Sequence, residues 1–242
     1  MAAPRKLSAQ IVHIKKFDNS VTLFKLRPEG RYKFRSGQFL HLALDDYDPS
    51  YNWPDSRVFS IASAPGNSSE IEILVSPKGE FTQRMAKELR VGQKVWIKLP
   101  YGEFNFLAAQ NKNVNLIAGG TGISPFVGYL QDVLQGKIRY ETLNLYYGVK
   151  NPNLLVYDDL LKESLNSLAD FHLHLYIEEG KQSDLFQSLK GIIPIKEIIN
   201  HTYQNGNSCY FISGPQKMIY SFLKEATYKG INEENVFYDK WE

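Results

Sequence analysis

The chain has 242 residues, of which 43% are apolar, and a formal net charge of +2. This length allows one large domain or two smaller ones, and the charge gives no indication of nucleic-acid binding. No run approaches the about 20 apolar residues that span a bilayer. Cys209 is the only cysteine, which excludes an internal disulfide and a cysteine-ligated iron–sulfur cluster. Because the first residues also lack a signal-peptide pattern, we expect a cytoplasmic protein without a membrane span.

Residues 8 to about 106 have the pattern of short antiparallel strands separated by turns. The predicted strands are AQIVHIKKF, SVTLFKLR, QFLHLAL, RVFSIAS, EIEILVS and KVWIKL. The segment FTQRMAKEL differs, because Phe81, Met85 and Leu89 form a stripe at helical spacing. We therefore predict an antiparallel β-barrel, interrupted by one helix, for residues 1–108.

After FNFLAAQNKN, short strands alternate with helices. The predicted strands are VNLIAG, TLNLYYG, FHLHLYI and CYFISG, and the predicted helices are SPFVGYLQDVLQ, NLLVYDDLLKESL and PQKMIYSFLKEATYKG, the last ending at Gly230. This alternation is typical of a doubly wound parallel sheet, so we predict an α/β domain for residues 109–242.

The segment AGGTGISP joins the first strand of that domain to a helix. Ligands bind at the carboxyl ends of such strands, and a helix start favours phosphate. We expect Ser124 to be the N-cap and Pro125 the first helical residue. The segment lacks the lysine of ATPase phosphate loops, and Pro125 occupies the last glycine position of G-x-G-x-x-G. A nucleotide loop and a tight turn without a ligand both remain open.

Two segments of the barrel have chemistry suited to a large anionic ligand. In SRVFS, Arg57 can pair with a pyrophosphate, Phe59 offers a flat apolar face and Ser60 a hydroxyl donor. Strict alternation places Ser60 on the opposite face from the other two. In KGEFT, Gly79 and Thr82 stand at a helix start that favours a second anion contact. Each residue alone also fits an ordinary structural role.

The motifs RVFS, KGEFT, GGTGISP and SGPQKM, in this order, resemble the ferredoxin–NADP reductase family of flavoproteins, of the bacterial type without a fused ferredoxin domain. The resemblance implies an FAD-binding barrel over 1–108 and an NAD(P)-binding domain over 109–242. It implies an FAD-dependent NAD(P)H oxidoreductase that exchanges electrons with a ferredoxin or the iron–sulfur component of an oxygenase.

The resemblance also implies roles for individual residues. Phe59, where the family usually has Tyr, packs on the flavin, and Ser60 bonds near its reactive N5, so both are expected catalytic residues. The implied cofactor-binding residues are Arg57, Val58, Phe59, Ser60, Gly79, Phe81, Thr82, Gly120, Thr121, Gly122, Pro125, Glu179, Gly214, Pro215 and Trp241. Ser213 stands where many members have Cys. Trp241 either stacks on the FAD or packs on the last strand.

Two other functions remain open. The chain could be a flavin reductase that uses free flavin as substrate, or an electron-relay subunit without turnover of its own. KGEFT favours a retained FAD, because a second pyrophosphate contact serves a bound cofactor. Arg5, Lys6, Lys15 and Lys16 either meet an acidic ferredoxin or are solvated surface charges.

The choice between NADH and NADPH depends on charges near the adenosine ribose. Glu178 and Glu179, in LYIEEGKQ, would repel a 2′-phosphate, whereas Lys150 and Lys181 would attract one. We favour NADH. His172 and His174 share one face of a strand, but no third metal ligand is evident, so we predict no metal site.

Overall fold

A computed structural model describes residues 3–66, 69–102, 104, 106–204 and 206–239. The chain forms two compact units. Unit 1 contains residues up to 103 together with 124–129, and unit 2 contains 104–123 and 130–242. Within the described ranges, no helix has the length and hydropathy needed to cross a membrane.

Unit 1 is built on a six-stranded antiparallel sheet. Its elements are β1 (Arg5–Phe17), β2 (Val21–Pro28), β3 (Phe39–Ala43), β4 (Ser56–Ser60), β5 (Ile71–Val75), α1 (Glu80–Glu88) and β6 (Lys94–Tyr101). The strand order is β4-β3-β6-β1-β2-β5. The two end strands approach each other, since the Ala62 N–H just after β4 donates to the Glu72 carbonyl of β5 at 2.8 Å. The predicted antiparallel domain with a single helix is confirmed.

The helix α1 packs its apolar stripe on the core of unit 1. Phe81, Met85 and Leu89 are all buried in that core, as their spacing predicts. On the solvent side, the Arg84 guanidinium donates to Asp45 at 2.6 and 3.1 Å and to Glu88 at 2.8 Å. These bonds tie α1 to the loop that follows β3, so the start of α1 has a fixed position relative to the sheet.

Unit 2 contains a six-stranded parallel sheet. The remaining strands and helices of the chain are β7 (Asn113–Gly119), α2 (Ser124–Leu134), β8 (Thr142–Val149), α3 (Asp158–Ser167), β9 (Phe171–Ile177), β10 (Ser188–Lys190), α4 (Ile195–Thr202), β11 (Ser208–Ser213), α5 (Gln216–Tyr228) and β12 (Val236–Tyr238). The strand order is β10-β9-β8-β7-β11-β12. The predicted doubly wound sheet is confirmed, and α5 ends as expected, with Gly230 at φ +69° just after its C-cap.

The structure corrects one predicted helix and adds elements that the sequence pattern did not reveal. The helix expected from Asn153 begins at Asp158, because Tyr157 adopts a left-handed conformation at φ +60° and the preceding residues are extended or in a short 3-10 turn. The added elements are β10, α4 and β12. They complete the sheet edges and cover one face of the sheet, where Ile198 and Ile199 of α4 are buried.

Candidate functional site

The predicted RVFS motif lies in β4, which is one of the two end strands of the sheet in unit 1. In the pairing of β3 with β4, Arg57 lies opposite Leu42 and Phe59 opposite Leu40, and both leucines belong to the core. Directly paired residues share a face, so Arg57 and Phe59 lie on the core-facing side and Ser60 on the other. Phe59 is half-buried and packs against the core.

The Arg57 guanidinium lies against the start of α1. Its Nη1 donates to the Asp55 carboxylate at 2.7 Å and to the Ser56 carbonyl at 2.9 Å, and its Cζ lies 5.4 Å from the centre of the Phe81 ring. The side chain is 54% exposed. A guanidinium has five N–H donors. Among the described residues nothing accepts from Nε or Nη2, so three N–H groups of this half-exposed side chain have no acceptor there.

The first turn of α1 adds backbone donors to the same region. The Thr82 hydroxyl accepts from the Gly79 N–H at 3.1 Å and donates to the Gly79 carbonyl at 3.0 Å. It therefore orders the turn, and the donors available to a ligand are the N–H groups of the helix start. A Cβ at Gly79 would meet no atom within 4 Å, so this end of α1 is open. Glu80 is exposed in the same turn and adds a negative charge to this end of α1.

In unit 2, the two predicted glycine segments follow neighbouring strands. One follows β7 and the other follows β11, and these strands are adjacent in the sheet. From β7 the chain continues to β8 and β9 on one side, whereas β11 and β12 lie on the other. The carboxyl ends of β7 and β11 thus form the switch point of the sheet, which is where ligands of this fold bind.

The glycines at the switch point pack backbone on backbone. A Cβ at Gly122 would lie 2.1 Å from the Ser213 carbonyl oxygen, and one at Gly119 would lie 2.6 Å from Pro215 Cδ. Gly214, at φ +147°, would place a Cβ 2.9 Å from the Gly119 Cα. We expected Gly122 and Gly214 to line a nucleotide site. In this structure, the absence of a side chain at both positions is required for contact between the two segments.

Gly120 is the glycine of this segment that faces open space. It adopts φ +56°, and a Cβ there would meet nothing within 4 Å. The next residue, Thr121, is half-buried. The expected roles of Gly120, Gly122 and Gly214 in a ligand site stay predictions, because the contacts of an added Cβ describe only one side of each glycine.

The helix α2 begins differently from the prediction. A 3-10 turn, Gly120–Ile123, runs directly into α2, and Ile123 is the N-cap residue in a right-handed helical conformation. Ser124 is the first helical residue and Pro125 the second, so the predicted N-cap at Ser124 is wrong by one position. The 3-10 turn runs into α2 without an extended residue between them. Ser124 therefore lacks the extended backbone conformation that is typical of an N-cap.

Asp239 is a candidate site residue that the sequence analysis missed. The Ser213 hydroxyl at the end of β11 donates to the Asp239 carboxylate at 3.1 Å, and the Asp239 N–H donates to the Ile212 carbonyl at 2.9 Å. The serine that replaces the usual family cysteine thus carries a fixed hydroxyl next to Gly214. Only the pairing of β11 with β12 brings these residues together.

Opposite charges lie at the carboxyl ends of β8 and β9. The Lys150 ammonium lies 3.6 Å from the Glu179 carboxylate, and both side chains are exposed. The Glu179 N–H also donates to the Lys150 carbonyl at 2.7 Å. The two residues with opposing predicted effects on nucleotide choice are therefore direct partners.

Several other titratable groups are engaged in packing. Burial raises the pKa of the Cys209 thiol to about 12, so it stays protonated. The His174 ring stacks on Tyr146 with ring centres 4.5 Å apart, and burial, followed by the neighbouring His172, lowers its pKa. The described residues contain no group of three metal ligands. Trp241 lies outside the described residues, and its stacking role stays a prediction.

Comparison with known proteins assigns both halves of the chain. The oxidoreductase FAD-binding domain family matches residues 8–106, and the oxidoreductase NAD-binding domain family matches residues 116–224. The chain belongs to the FAD- and NAD-binding oxidoreductases. Each family domain corresponds to one of the two predicted nucleotide sites.

Relatives of this oxidoreductase include components of oxygenase systems. It is 23% identical to the reductase component of propane 2-monooxygenase from Mycolicibacterium smegmatis, over 96% of this chain and 66% of the relative. It is 26% identical to the electron transfer component of 2-halobenzoate 1,2-dioxygenase from Burkholderia cepacia, over 97% and 67%. The chain thus spans about two thirds of the length of these relatives. A ferredoxin–NADP⁺ reductase from Neisseria gonorrhoeae, solved with FAD and NADP, has the same fold (TM-score 0.77, 18% identity, 99% of both chains).

The residues of this oxidoreductase fit the two nucleotides that its domains bind. In unit 1, three available guanidinium N–H groups and an open helix start provide donors for a pyrophosphate. In unit 2, the switch point has an open position at Gly120 with no side chain above it.

Proposed function

We propose that this oxidoreductase takes electrons from NADH or NADPH and passes them, through bound FAD, to a one-electron iron–sulfur acceptor, either a ferredoxin or the iron–sulfur component of an oxygenase. The observation that carries the proposal is the placement of the Arg57 guanidinium against the open start of α1. The names of the relatives support the choice of acceptor. The buried, reduced thiol of Cys209 supports a cytoplasmic location.

The protein's contribution is binding and orientation. A flavin supplies the ability to take two electrons together and release them singly. Arg57 would neutralise part of the pyrophosphate charge, the α1 backbone N–H groups would donate to it, and Phe59 would provide an apolar surface for the ring. Ser60 lies on the opposite face of β4 from Phe59, but it is the last residue of that strand, so its hydroxyl could donate to a ring nitrogen where the ring extends past the strand end. In unit 2, Gly120 lets the nicotinamide nucleotide approach the backbone closely.

A flavin absorption spectrum of the purified chain, followed by anaerobic titration with NADH and NADPH, tests this function. We expect a yellow protein with about one FAD per chain, bleached by the nucleotide, that reduces ferricyanide catalytically. A colourless protein that oxidises the nucleotide only with added flavin would make it a flavin reductase. A yellow protein without turnover would make it a relay subunit.

We propose NADH as the preferred nucleotide, because the Glu179 carboxylate repels a 2′-phosphate at the adenosine ribose. Glu179→Arg is expected to raise the ratio of kcat/KM for NADPH to that for NADH by roughly tenfold, since it replaces repulsion by a charge-assisted bond. Steady-state kinetics with both nucleotides measure the ratio.

The matched control is Glu163→Arg, the same charge change at an exposed position of α3. It is expected to leave the ratio unchanged. Lys150→Ala removes the cation beside Glu179 and should shift the ratio further toward NADH. An equal ratio in the wild type and in Glu179→Arg would disprove the role of this carboxylate.

A further inference from the structure

The core of unit 1 is open at one corner, between the strands β1 and β2 and the last turn of α1. A cavity of about 190 Å³ lies there, and its apolar walls include Ile14 of β1, Phe24 of β2 and Leu89 at the C-cap of α1. Phe24 and Leu89 are buried in the core, and Ile14 packs against it. The cavity therefore continues the apolar interior outward, in a place that the described side chains leave unfilled.

Thr22 places a hydroxyl in this apolar lining. In the pairing of β1 with β2, Phe24 lies opposite Ile14 and Thr22 lies opposite Lys16, so all four side chains share the core-facing side of the sheet. Thr22 is only 5% exposed, and no described residue forms a hydrogen bond with its hydroxyl. A buried hydroxyl without a partner destabilises a fold, so a guest that bonds to Thr22 removes that cost.

The two exposed residues in the lining are both cations, Lys16 and Arg90. Lys16 is the residue of β1 that is paired with Thr22, so its side chain extends from the same side of the sheet. Arg90 follows α1, and its Nη1 donates to the Leu89 carbonyl at 2.9 Å. Of the five N–H donors of a guanidinium, the other four have no acceptor among the described residues. The cavity thus combines an apolar interior with positive charge on its solvent side.

Among the described residues, neither of these cations forms an ion pair with a carboxylate. The carboxylates nearest to them in sequence are Asp18 and Glu88. Asp18 accepts from the N–H of the next residue, and Glu88 accepts from the Arg84 guanidinium at 2.8 Å. The carbonyl end of α1 has a partial negative charge, and the bond from Arg90 to the Leu89 carbonyl offsets part of it. The charges around the cavity therefore favour a guest with a negative charge.

We propose that this cavity binds a small carboxylate whose apolar body is about the size of one aromatic ring. An apolar cavity of about 150 Å³ is enough to hold benzene, so a cavity of about 190 Å³ accommodates a ring together with one carboxylate. The ring packs on Phe24 and Leu89. The carboxylate accepts from Lys16, Arg90 and the Thr22 hydroxyl. The proposal requires neither a flavin nor a nicotinamide nucleotide, so its failure would leave the proposed function untouched.

Backbone-amide NMR of the full chain, titrated separately with benzoate, benzyl alcohol, benzylamine and inorganic phosphate, tests the proposal. We expect benzoate to shift the signals of residues 14–16 and 86–90 with a Kd roughly tenfold or more below that of the alcohol, because only benzoate has both a ring and a charge that meets the two cations. Equal binding of benzyl alcohol would leave a merely apolar cavity, and equal binding of phosphate a merely cationic surface, so either result overturns the proposal. Benzoate shifts confined to other residues overturn it as well.

Lys16→Gln and Arg90→Gln are each expected to raise the Kd for benzoate by roughly fivefold, because each removes one partly solvated charge contact. Two control variants have the same change in net charge. Lys15→Gln alters the neighbouring residue of β1, whose side chain lies on the other face of the sheet. Arg5→Gln removes an exposed guanidinium that, like that of Arg90, donates to a backbone carbonyl. Both controls should stay within about twofold of the wild type, and equal losses in variants and controls would indicate global charge and refute the site.

Thr22→Val separates binding from folding, because it keeps the shape of the side chain and removes the unpaired hydroxyl. We expect a higher Tm for the free chain together with a several-fold higher Kd for benzoate. Ala86 also lines the cavity, so Ala86→Leu should fill it and abolish the benzoate shifts. An unchanged Kd in either variant overturns the proposal. If the signals of residues 14–16 and 86–90 shift on raising the protein concentration without any probe, the cavity belongs to a second copy of the chain and the proposal also fails.

Discussion

Arg57→Ala is expected to bind FAD roughly 30-fold more weakly than the wild type, because losing charge-assisted bonds to a pyrophosphate costs about 2 kcal/mol. The variant should purify with little flavin and regain activity at high added FAD. Fluorescence titration of the flavin-free protein measures the affinity. Arg57→Lys should fall between the two, since an ammonium keeps the charge but lacks the planar fork.

Arg27 provides a close control for this experiment. Its guanidinium forms an ion pair with Glu70 at 2.7 Å and is 53% exposed, compared with 2.7 Å and 54% for Arg57. Arg27→Ala removes the same side chain and an equivalent surface ion pair from the same sheet. It should leave FAD affinity unchanged. Equal flavin loss in both variants would mean that a general effect on the sheet, and not a bond to the cofactor, explains the result.

Gly122→Ala is expected to destabilise the protein by roughly 3 kcal/mol or more, because overpacking against backbone cannot be relieved by a change of rotamer. The added Cβ would lie 2.1 Å from the Ser213 carbonyl oxygen. Thermal and urea unfolding measure the loss. Stability within 0.5 kcal/mol of the wild type, as an order-of-magnitude threshold for a surface change, would contradict the close packing of the two segments.

Gly120→Ala should change the stability of the protein little and its nucleotide binding more. The added Cβ meets nothing within 4 Å, so we expect only about 1 kcal/mol of left-handed backbone strain. The KM for the nicotinamide nucleotide should nevertheless rise, because the side chain occupies the open side of the turn. Gly136→Ala is the control, since Gly136 has φ +70° and equally open surroundings. An equal KM in both variants would remove Gly120 from the nucleotide site.

The sequence predicted the fold wherever a segment was long enough to have a clear composition or period. Runs rich in β-branched and aromatic residues over β1 and β2 and the apolar stripe of α1 indicated their structures directly. The strands β10 and β12 have three residues each, too few for a period to be recognised. The helix α4 could have been found, because Ile195, Ile198, Ile199 and Thr202 form a helical stripe after a proline.

The candidate site was less predictable, because its roles depend on neighbours distant in the chain. A glycine beside open space and a glycine packed against another segment look alike in sequence, and only the structure separates Gly120 from Gly122. Likewise, nothing in the local sequence connects Asp239 to Ser213. The fork of Arg57 and the flat ring of Phe59 were noted from side-chain chemistry, and their roles toward FAD were implied by a family resemblance, so neither depended on periodicity.

The backbone contact between the segments after β7 and β11 separates the packing of the sheet edge from the choice between NADH and NADPH. A Cβ at Gly122 would meet backbone atoms of Ser213 and Gly214, whereas the Met218 side chain also packs against Gly119 and Gly214, so the closest contact between the two segments is made by backbone alone. In the function we propose, discrimination between nucleotides depends instead on the exposed Lys150 and Glu179 at the carboxyl ends of β8 and β9. Evolution can exchange those charges freely, so coenzyme preference can diverge rapidly among relatives while the architecture beneath it is inherited intact.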